Sequence, residues 1–327
     1  MLVPVLAVAT AATVATGLSP AAAQSNPNPT VTIGGDPQGV AADPDGKHVY
    51  VASYADNAVH VIDTATKKVS GSIAVGAGPR GVAVDPDSRH AFVTNFAESS
   101  VSVIDTASGK LIRNVPVGTN PASVAVFPRD HYAIVTNYYA NTVSVIDSKT
   151  LEVTGGLPVG AKPDGVAIDP RGEFAYVANS GSNNVSVIDI HNRKVVATIL
   201  AGRAPQKVAI DPDGRHAYVT NFGDHTVSVI DLPIQLGADL LNPILEPSSI
   251  IRVGINPRGL AVDGSSHRAF VVNVGEDTMS VIDTEKGTVI DTKFVGFSPD
   301  DVAVGPDSTA YITARGDGTV TVIRRPS

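Results

Sequence analysis

One phrase recurs at near-constant spacing along this chain of 327 residues. Val-Ile-Asp ends at six aspartates, separated by 42 residues in the first four steps and by 52 in the last: Asp63, Asp105, Asp147, Asp189, Asp231 and Asp283. A seventh copy ends at Ile323 and carries Arg324 in place of the aspartate. A period of this length indicates a series of equivalent units that bury their apolar faces against one another.

Each of the first six repeats contains four short apolar runs. In the second repeat these runs are 81–84, 91–94, 101–104 and 110–117. They are rich in Val, Ile, Thr and Tyr and are bounded by Gly, Pro, Asp or Asn, which is typical of strands. Four strands per repeat of this size correspond to one propeller blade. The sequence therefore predicts an all-β, seven-bladed β-propeller of four-stranded antiparallel blades.

The two ends of the repeat region are complementary. The last repeat supplies only three runs, 301–304, 310–313 and 319–323. Residues 30–33, followed by Gly34-Gly35, match the end of a fourth strand. We expect this N-terminal strand to complete the C-terminal blade and close the ring, which removes exposed sheet edges. Residues 30–327 are thus predicted to form a single propeller, with an insertion at about 232–249.

Residues 1–23 carry no charge and are typical of a secretory signal peptide. A short apolar stretch is followed by small residues before Gln24, and 24–29 reads as a linker. This predicts a secreted, periplasmic or cell-surface protein without a membrane span once the signal is removed. No Lys or Arg precedes Lys47, so cleavage and an uncleaved anchor both stay open.

A second motif precedes most copies of the first. Phe-Val-Thr-Asn at 92–95, Ile-Val-Thr-Asn at 134–137 and related segments at 176–179 and 218–221 are each followed by Val-Ser-Val-Ile-Asp. This pattern resembles the YVTN-repeat β-propeller family from residue 30 to 323. The resemblance implies a seven-bladed surface-layer, secreted or periplasmic protein, mostly without assigned catalysis. The motif departs from the family pattern at 52–53, 272–273 and 313–314.

Charge and composition exclude several functions. The formal net charge of −8 gives no electrostatic reason to bind nucleic acid. The absence of cysteine removes disulfides and thiolate metal sites. We expect no metal and no cofactor. The predicted partner is a protein, a peptide or a small polar ligand of the cell envelope, bound by a monomer.

Candidate binding residues occupy positions that vary while their neighbours repeat. The middle residues of the Pro-x-Gly segments before each first strand are Gln38, Arg80, Ala122, Asp164, Gln206, Arg258 and Asp300. Residues after the second motif should share that face and include Tyr54, Phe96, Tyr138, Phe222 and Arg315. Arg80 and Arg258 could hold a carboxylate of the ligand. Alternatively, the arginines and aspartates neutralise each other around a water-filled channel.

Catalytic constellations are sparse. The repeated serines occupy one strand position and read as scaffold: Ser102, Ser144, Ser186 and Ser228. The one acid/base or metal candidate is the set Asp164, Asp300 and Asp301. A non-catalytic binding or scaffold protein is therefore favoured. The alternatives are a lactonase-like hydrolase or lyase that uses these carboxylates, or a propeller subunit resembling those of quinoprotein amine dehydrogenases.

The insertion differs in composition from the repeats. It contributes an apolar set that could form a partner patch or a locally packed flap: Leu236, Leu240, Leu241, Ile244 and Leu245. By register it connects the third and fourth strands of the fifth blade, on the face opposite the Pro-x-Gly segments.

Overall fold

Seven sheets arranged in a ring are seen in the computed structural model, which describes residues 25–127, 131–232 and 243–324. The first strands of successive blades contact one another around the full circle, including the last blade against the first. The predicted seven-bladed propeller of four-stranded antiparallel blades is confirmed. The predicted signal peptide lies outside the described residues. Within the described ranges no helix could cross a membrane.

The strand positions are equivalent from blade to blade. The first strands, around the channel, are β2 (Pro37–Ala42), β6 (Pro79–Val84), β10 (Pro121–Val126), β14 (Pro163–Ile168), β18 (Pro205–Ile210), β23 (Pro257–Asp263) and β27 (Pro299–Val304). The second strands are β3 (His48–Ser53), β7 (His90–Asn95), β11 (Tyr132–Asn137), β15 (Phe174–Asn179), β19 (His216–Asn221), β24 (Arg268–Asn273) and β28 (Thr309–Ala314).

The outer half of each blade follows the same order. The third strands are β4 (Ala58–Asp63), β8 (Ser100–Asp105), β12 (Thr142–Asp147), β16 (Asn184–Asp189), β20 (Thr226–Asp231), β25 (Thr278–Asp283) and β29 (Thr319–Arg324). The fourth strands are β5 (Lys68–Ala74), β9 (Lys110–Pro116), β13 (Glu152–Pro158), β17 (Lys194–Leu200), β22 (Ser249–Arg252), β26 (Thr288–Phe294) and β1 (Thr30–Thr32).

The ring closes as the sequence predicts. β1 pairs antiparallel with β29, with Val31 opposite Val320. The segment before β1 adds contacts, because the Asn26 amide donates a 2.7 Å hydrogen bond to the Thr321 hydroxyl. In the second to sixth blades the last residue of the second motif, an asparagine, makes the equivalent contact, but the seventh blade has Ala314 there. Part of the predicted linker is therefore docked on the C-terminal blade.

The threonine of the second motif joins neighbouring blades. Thr136 is buried; its hydroxyl accepts from the Ser123 amide at 3.0 Å and donates to the Asp164 carbonyl of the next blade at 2.6 Å. The same arrangement links three further pairs of blades through Thr94, Thr220 and Thr313. The side chain thus satisfies backbone groups at the point where two first strands meet.

The asparagine of the motif acts within its own blade. The Asn137 amide donates to Thr142 at 3.0 Å and to Ser144 at 2.9 Å, and both acceptors lie on the third strand. Equivalent bonds connect Asn95, Asn179, Asn221 and Asn273 to the repeated serine. These serines are therefore structural, in agreement with the sequence prediction.

The core lies between blades. Phe92 and Val101 of the second blade pack with Val124, Val135 and Ile146 of the third, and similar clusters occupy the other junctions. Because both faces of each sheet are covered, the strands read as continuous apolar runs.

The Pro-x-Gly segments differ slightly from expectation. They lie within the first strand and not before it. In the second blade Pro79 pairs with Asn95, and a register shift separates this pair from the regular ladder that starts at Val82. The bulge directs the variable middle residue to the mouth of the channel.

Candidate site at the mouth of the channel

A cavity of about 530 Å³ opens at one end of the channel. This volume falls in the range of small-ligand sites. Most residues predicted from the variable repeat positions line it: Gln38, Tyr54, Arg80, Phe96, Tyr138, Asp164, Gln206, Arg258 and Arg315. Asp36 and Tyr139 line it too and were not predicted. We call this cavity the mouth.

Three residues at the predicted positions do not line the mouth: Ala122, Asp300 and Phe222. Asp300 lines a narrower space below the mouth, of about 40 Å³, together with Asp301. That space has room for a few water molecules and none for a ligand. Phe222 is half-buried and does not line either cavity. The aromatic side of the mouth is thus formed by blades one to three.

Arg80 crosses the mouth to Asp164, two blades away. Its Nη2 donates to Asp164 Oδ1 at 2.9 Å and lies 3.1 Å from Oδ2. Burial would lower the pKa of Arg80, but the charges of Asp164 and Asp300 outweigh burial and raise it above its usual value. The guanidinium is therefore a fixed positive group in the mouth.

A second network joins blades six, seven and one. Arg258 Nη1 donates to Asp300 Oδ1, and Arg315 Nη1 lies 3.5 Å from the same oxygen. Arg315 also holds Asp36 with two parallel bonds of 2.6 and 2.9 Å. Burial opposes ionisation of Asp36, but these bonds and charges prevail and lower its pKa.

An ion pair crosses the channel below the mouth. Lys207 Nζ lies 2.8 Å from Asp301 Oδ2, and the pair spans the fifth and seventh blades. Gly259 of the sixth blade lies between them, and a Cβ there would come within 2.9 Å of Asp301 Oδ1. Within the part of the chain that the structure describes, this buried Oδ1 has no hydrogen-bond partner.

Lys207, Ser123 and Asp301 share a repeat position that is glycine in the other four blades. Lys207 and Ser123 were not predicted from the sequence. A side chain at a position that is glycine in most repeats would have indicated them. Asp36 also occupies a position that differs in every neighbouring repeat, directly before the proline.

An aromatic shelf covers one side of the mouth. The ring centroids of Phe96 and Tyr138 are 6.2 Å apart, and those of Tyr138 and Tyr139 are 5.0 Å apart in an edge-to-face arrangement. The Arg80 guanidinium carbon lies 5.3 Å from the Phe96 centroid and 5.9 Å from that of Tyr138. Tyr139 is 61% exposed and offers its ring to solvent. We define Phe96, Tyr138 and Tyr139 as the shelf.

Histidines at the start of two second strands, on the face opposite the mouth, pair with turn carboxylates. His90 Nδ1 lies 3.1 Å from Asp85, and His216 Nδ1 lies 3.0 Å from Asp211. Among the described residues, one group has the proximity needed for a metal: Asp43, Asp45 and His48. That group belongs to a single turn region of the first blade, far in register from the mouth.

The insertion forms a fifth strand. β21 (Ile244–Leu245) pairs in parallel with β17 of the fourth blade, although the insertion leaves from the fifth. Leu245 packs against the core between these blades, whereas Ile244 is 71% exposed. The other members of the predicted patch, Leu236, Leu240 and Leu241, lie outside the described residues.

Comparisons with known proteins support the architecture. Residues 64–198 match the family described as Lactonase, 7-bladed beta-propeller. Residues 164–326 match the family described as Cytochrome D1 heme domain. No curated protein matches the chain. Membership of the YVTN-repeat family stays an expectation from the motif.

Solved structures extend the fold likeness to nearly the whole chain. Kuenenia stuttgartiensis hydrazine synthase has a TM-score of 0.76 and 22% identity, covering 94% of this chain and 99% of that chain. A protein of unknown function from Desulfotomaculum acetoxidans has a TM-score of 0.69 and 18% identity, covering 80% and 86%. At these identities the likeness is one of fold, which does not determine chemistry.

Proposed function

We propose that this protein is an extracytoplasmic, non-catalytic binding propeller whose mouth holds a small zwitterionic ligand or short polar peptide. One observation carries the proposal: the mouth joins three arginines, each in contact with a carboxylate, to an aromatic shelf. Fixed donors and acceptors of both signs suit a ligand that bears both an ammonium and a carboxylate. The rigid aromatic side chains of the shelf add apolar surface for contact with the ligand.

The pairing of charges favours binding over catalysis. Each carboxylate of the mouth and channel is in contact with a cation: Asp36, Asp164, Asp300 and Asp301. A general base must accept a proton near the working pH, and a strong ion pair opposes that. The arginines in turn are paired with carboxylates, so the net charge of the mouth is small. We therefore expect the mouth to select ligands by hydrogen-bond geometry and not by a strong electrostatic potential of one sign.

The extracytoplasmic location rests on residues 1–23 and on the YVTN-like motif. Expression of the full chain with a C-terminal tag, followed by cell fractionation and N-terminal sequencing, tests it. Recovery outside the cytoplasm with a new N-terminus near Gln24 is expected. A cytoplasmic protein that retains Met1 would contradict it.

Thermal-shift titration tests the mouth. The probes are dipeptides with free termini, monosaccharides and monocarboxylates. We expect dipeptides to raise the Tm by a few degrees near saturation, since about 100 Kd of ligand adds about 2.7 kcal/mol. The charge-neutral double variant Arg80→Gln/Asp164→Asn should lose this shift.

A matched control removes an ion pair outside the mouth. Arg203 and Asp224 contact each other at 2.6 Å on the same end of the fifth blade, and neither lines the mouth. Arg203→Gln/Asp224→Asn should keep the response to dipeptides. Equal loss in both double variants, or no response to any probe, would contradict the proposal.

A lactonase-like hydrolase is the second candidate. It is favoured by the match of residues 64–198 and by the buried, unpartnered Oδ1 of Asp301. Its test is lactone hydrolysis together with the metal content of chelator-free protein. Turnover that disappears in Asp301→Asn, but persists in Arg203→Gln, would establish catalysis at the channel.

The second family match prompts a test of whether a haem fits. Of the common axial ligands, the described lining of the mouth offers tyrosine alone. The three lining tyrosines share the mouth with Arg80, Arg258 and Arg315, each in contact with an aspartate, so the lining is charged where a porphyrin would need apolar contacts. The mouth therefore does not fit a haem, and no haem function is proposed.

A further inference from the structure

A separate cavity lies between the third and fourth blades, on the face opposite the mouth. Its volume is about 180 Å³. Its walls are formed by apolar side chains: Phe127, Tyr132, Ile134, Val145, Leu157, Ile188 and Ile190. His191 and Arg193 lie at its rim. We call it the interblade cleft.

The cleft arises where the sequence departs from the repeat. In the second blade the corresponding positions hold Asp85 and His90, whose side chains contact each other at 3.1 Å, and the fifth blade has the same pair. The third blade has Phe127 and Tyr132 instead, with ring centroids 6.1 Å apart at 72°. A polar contact has thus been replaced by an aromatic wall at this junction.

The rim is equally specific. Arg193 leaves a turn of the fourth blade and reaches the outer strand of the third, where its Nη1 donates to the Thr154 carbonyl at 2.9 Å. Nη2 lies 3.3 Å from the Thr154 hydroxyl. A Cβ on Gly155 would come within 2.8 Å of Arg193 Nη1, so the glycine makes room for the guanidinium.

Charges around the rim are unevenly placed. Glu173 and Asp189 line an adjoining depression that shares Ile190 and His191 with the cleft. They are absent from the lining of the cleft itself, where Arg193 supplies the positive charge.

We propose that the interblade cleft binds a molecule with a single aromatic ring and a carboxylate on a short arm. An apolar cavity of about 150 Å³ accommodates benzene, so this cleft can take one ring. The carboxylate then meets Arg193, whose planar guanidinium suits such a group. The ring packs between Phe127 and the aliphatic walls.

The probes are 3-phenylpropionate and its neutral analogue 3-phenylpropanamide, titrated into the full chain by calorimetry. We expect both probes to bind, the acid more tightly than the amide. Arg193→Gln should weaken the acid at least about tenfold and leave the amide unchanged, since a hydrogen bond to a charged group contributes about 1.5 kcal/mol or more. Lys67→Gln removes a cation from the same turn position of the first blade and should change neither affinity.

A second variant separates the cleft from the mouth and from folding defects. Phe127→Asp/Tyr132→His restores the pair found in the second blade and should fold while losing both probes. Circular dichroism confirms the fold. Binding of the acid that survives in this variant would overturn the proposal, as would the absence of binding by the wild type at about 1 mM acid.

Discussion

Thr136→Val tests how the blades are locked together. The substitution keeps the shape of the side chain, and Val272 occupies the same motif position in the sixth blade, fully buried. Valine therefore fits, and the change removes only the hydroxyl. The loss is one bond from the Ser123 amide at 3.0 Å and one to the Asp164 carbonyl at 2.6 Å.

The magnitude follows from those two bonds. Each contributes about 0.5–1.5 kcal/mol net, and more when the remaining group is buried without a partner. Asp164 is 7% exposed, so its carbonyl is cut off from water. We expect the free energy of unfolding to fall by about 2 kcal/mol, which for a domain of this size lowers the Tm by about 4 °C.

The assay is urea and thermal unfolding followed by circular dichroism, because the chain has no tryptophan to report by fluorescence. Val272→Ala is the control, since it removes methyl groups and no hydrogen bond at the equivalent position. A change below about 0.5 kcal/mol for Thr136→Val would refute the role assigned to the threonine.

Three further predictions concern the mouth and the ring closure. Asp36→Asn should lower the free energy of unfolding at pH 7. Because the folded pKa of Asp36 lies below its ordinary value, the difference should be lost as the pH falls through that lowered pKa, which urea unfolding across acidic pH will show. Lys207→Met should destabilise by about 3 kcal/mol because it leaves the buried Asp301 carboxylate unpaired, and adding Asp301→Leu should recover most of the loss in the same denaturation assay. Asn26→Ala should cost about 1 kcal/mol in a thermal melt, whereas an unchanged Tm would mean that the segment before β1 adds nothing to closure.

The repeat predicted the blades well because each strand pairs locally and in a fixed register. The pairing of residues 30–33 with 319–323 was also predicted, although they lie at opposite ends of the chain. The last repeat lacks a fourth strand, and the N-terminal segment is the strand that remains to fill its place. The variable repeat positions also located most of the mouth. Tyr139 was not predicted, because only the first residue after each second motif was compared between repeats and Tyr139 is the second.

Contacts that cross between blades could not be read from the repeat. The pairing of Lys207 with Asp301 depends on the reach of a long side chain across the channel, past Gly259. The parallel addition of β21 to the fourth blade depends on the path of an insertion that has no counterpart in other repeats. Both features depend on distances in the folded structure, which the spacing of the sequence repeats does not give.

Binding of a polar ligand at the mouth without its conversion can be observed directly. Saturation-transfer NMR on a mixture of dipeptides, sugars and lactones reports binding and chemical change in a single sample. We expect saturation transfer to a dipeptide, its loss in Arg80→Gln/Asp164→Asn, and every compound intact at the end of the experiment. Conversion of a lactone that depends on Asp300 or Asp301 would contradict this expectation.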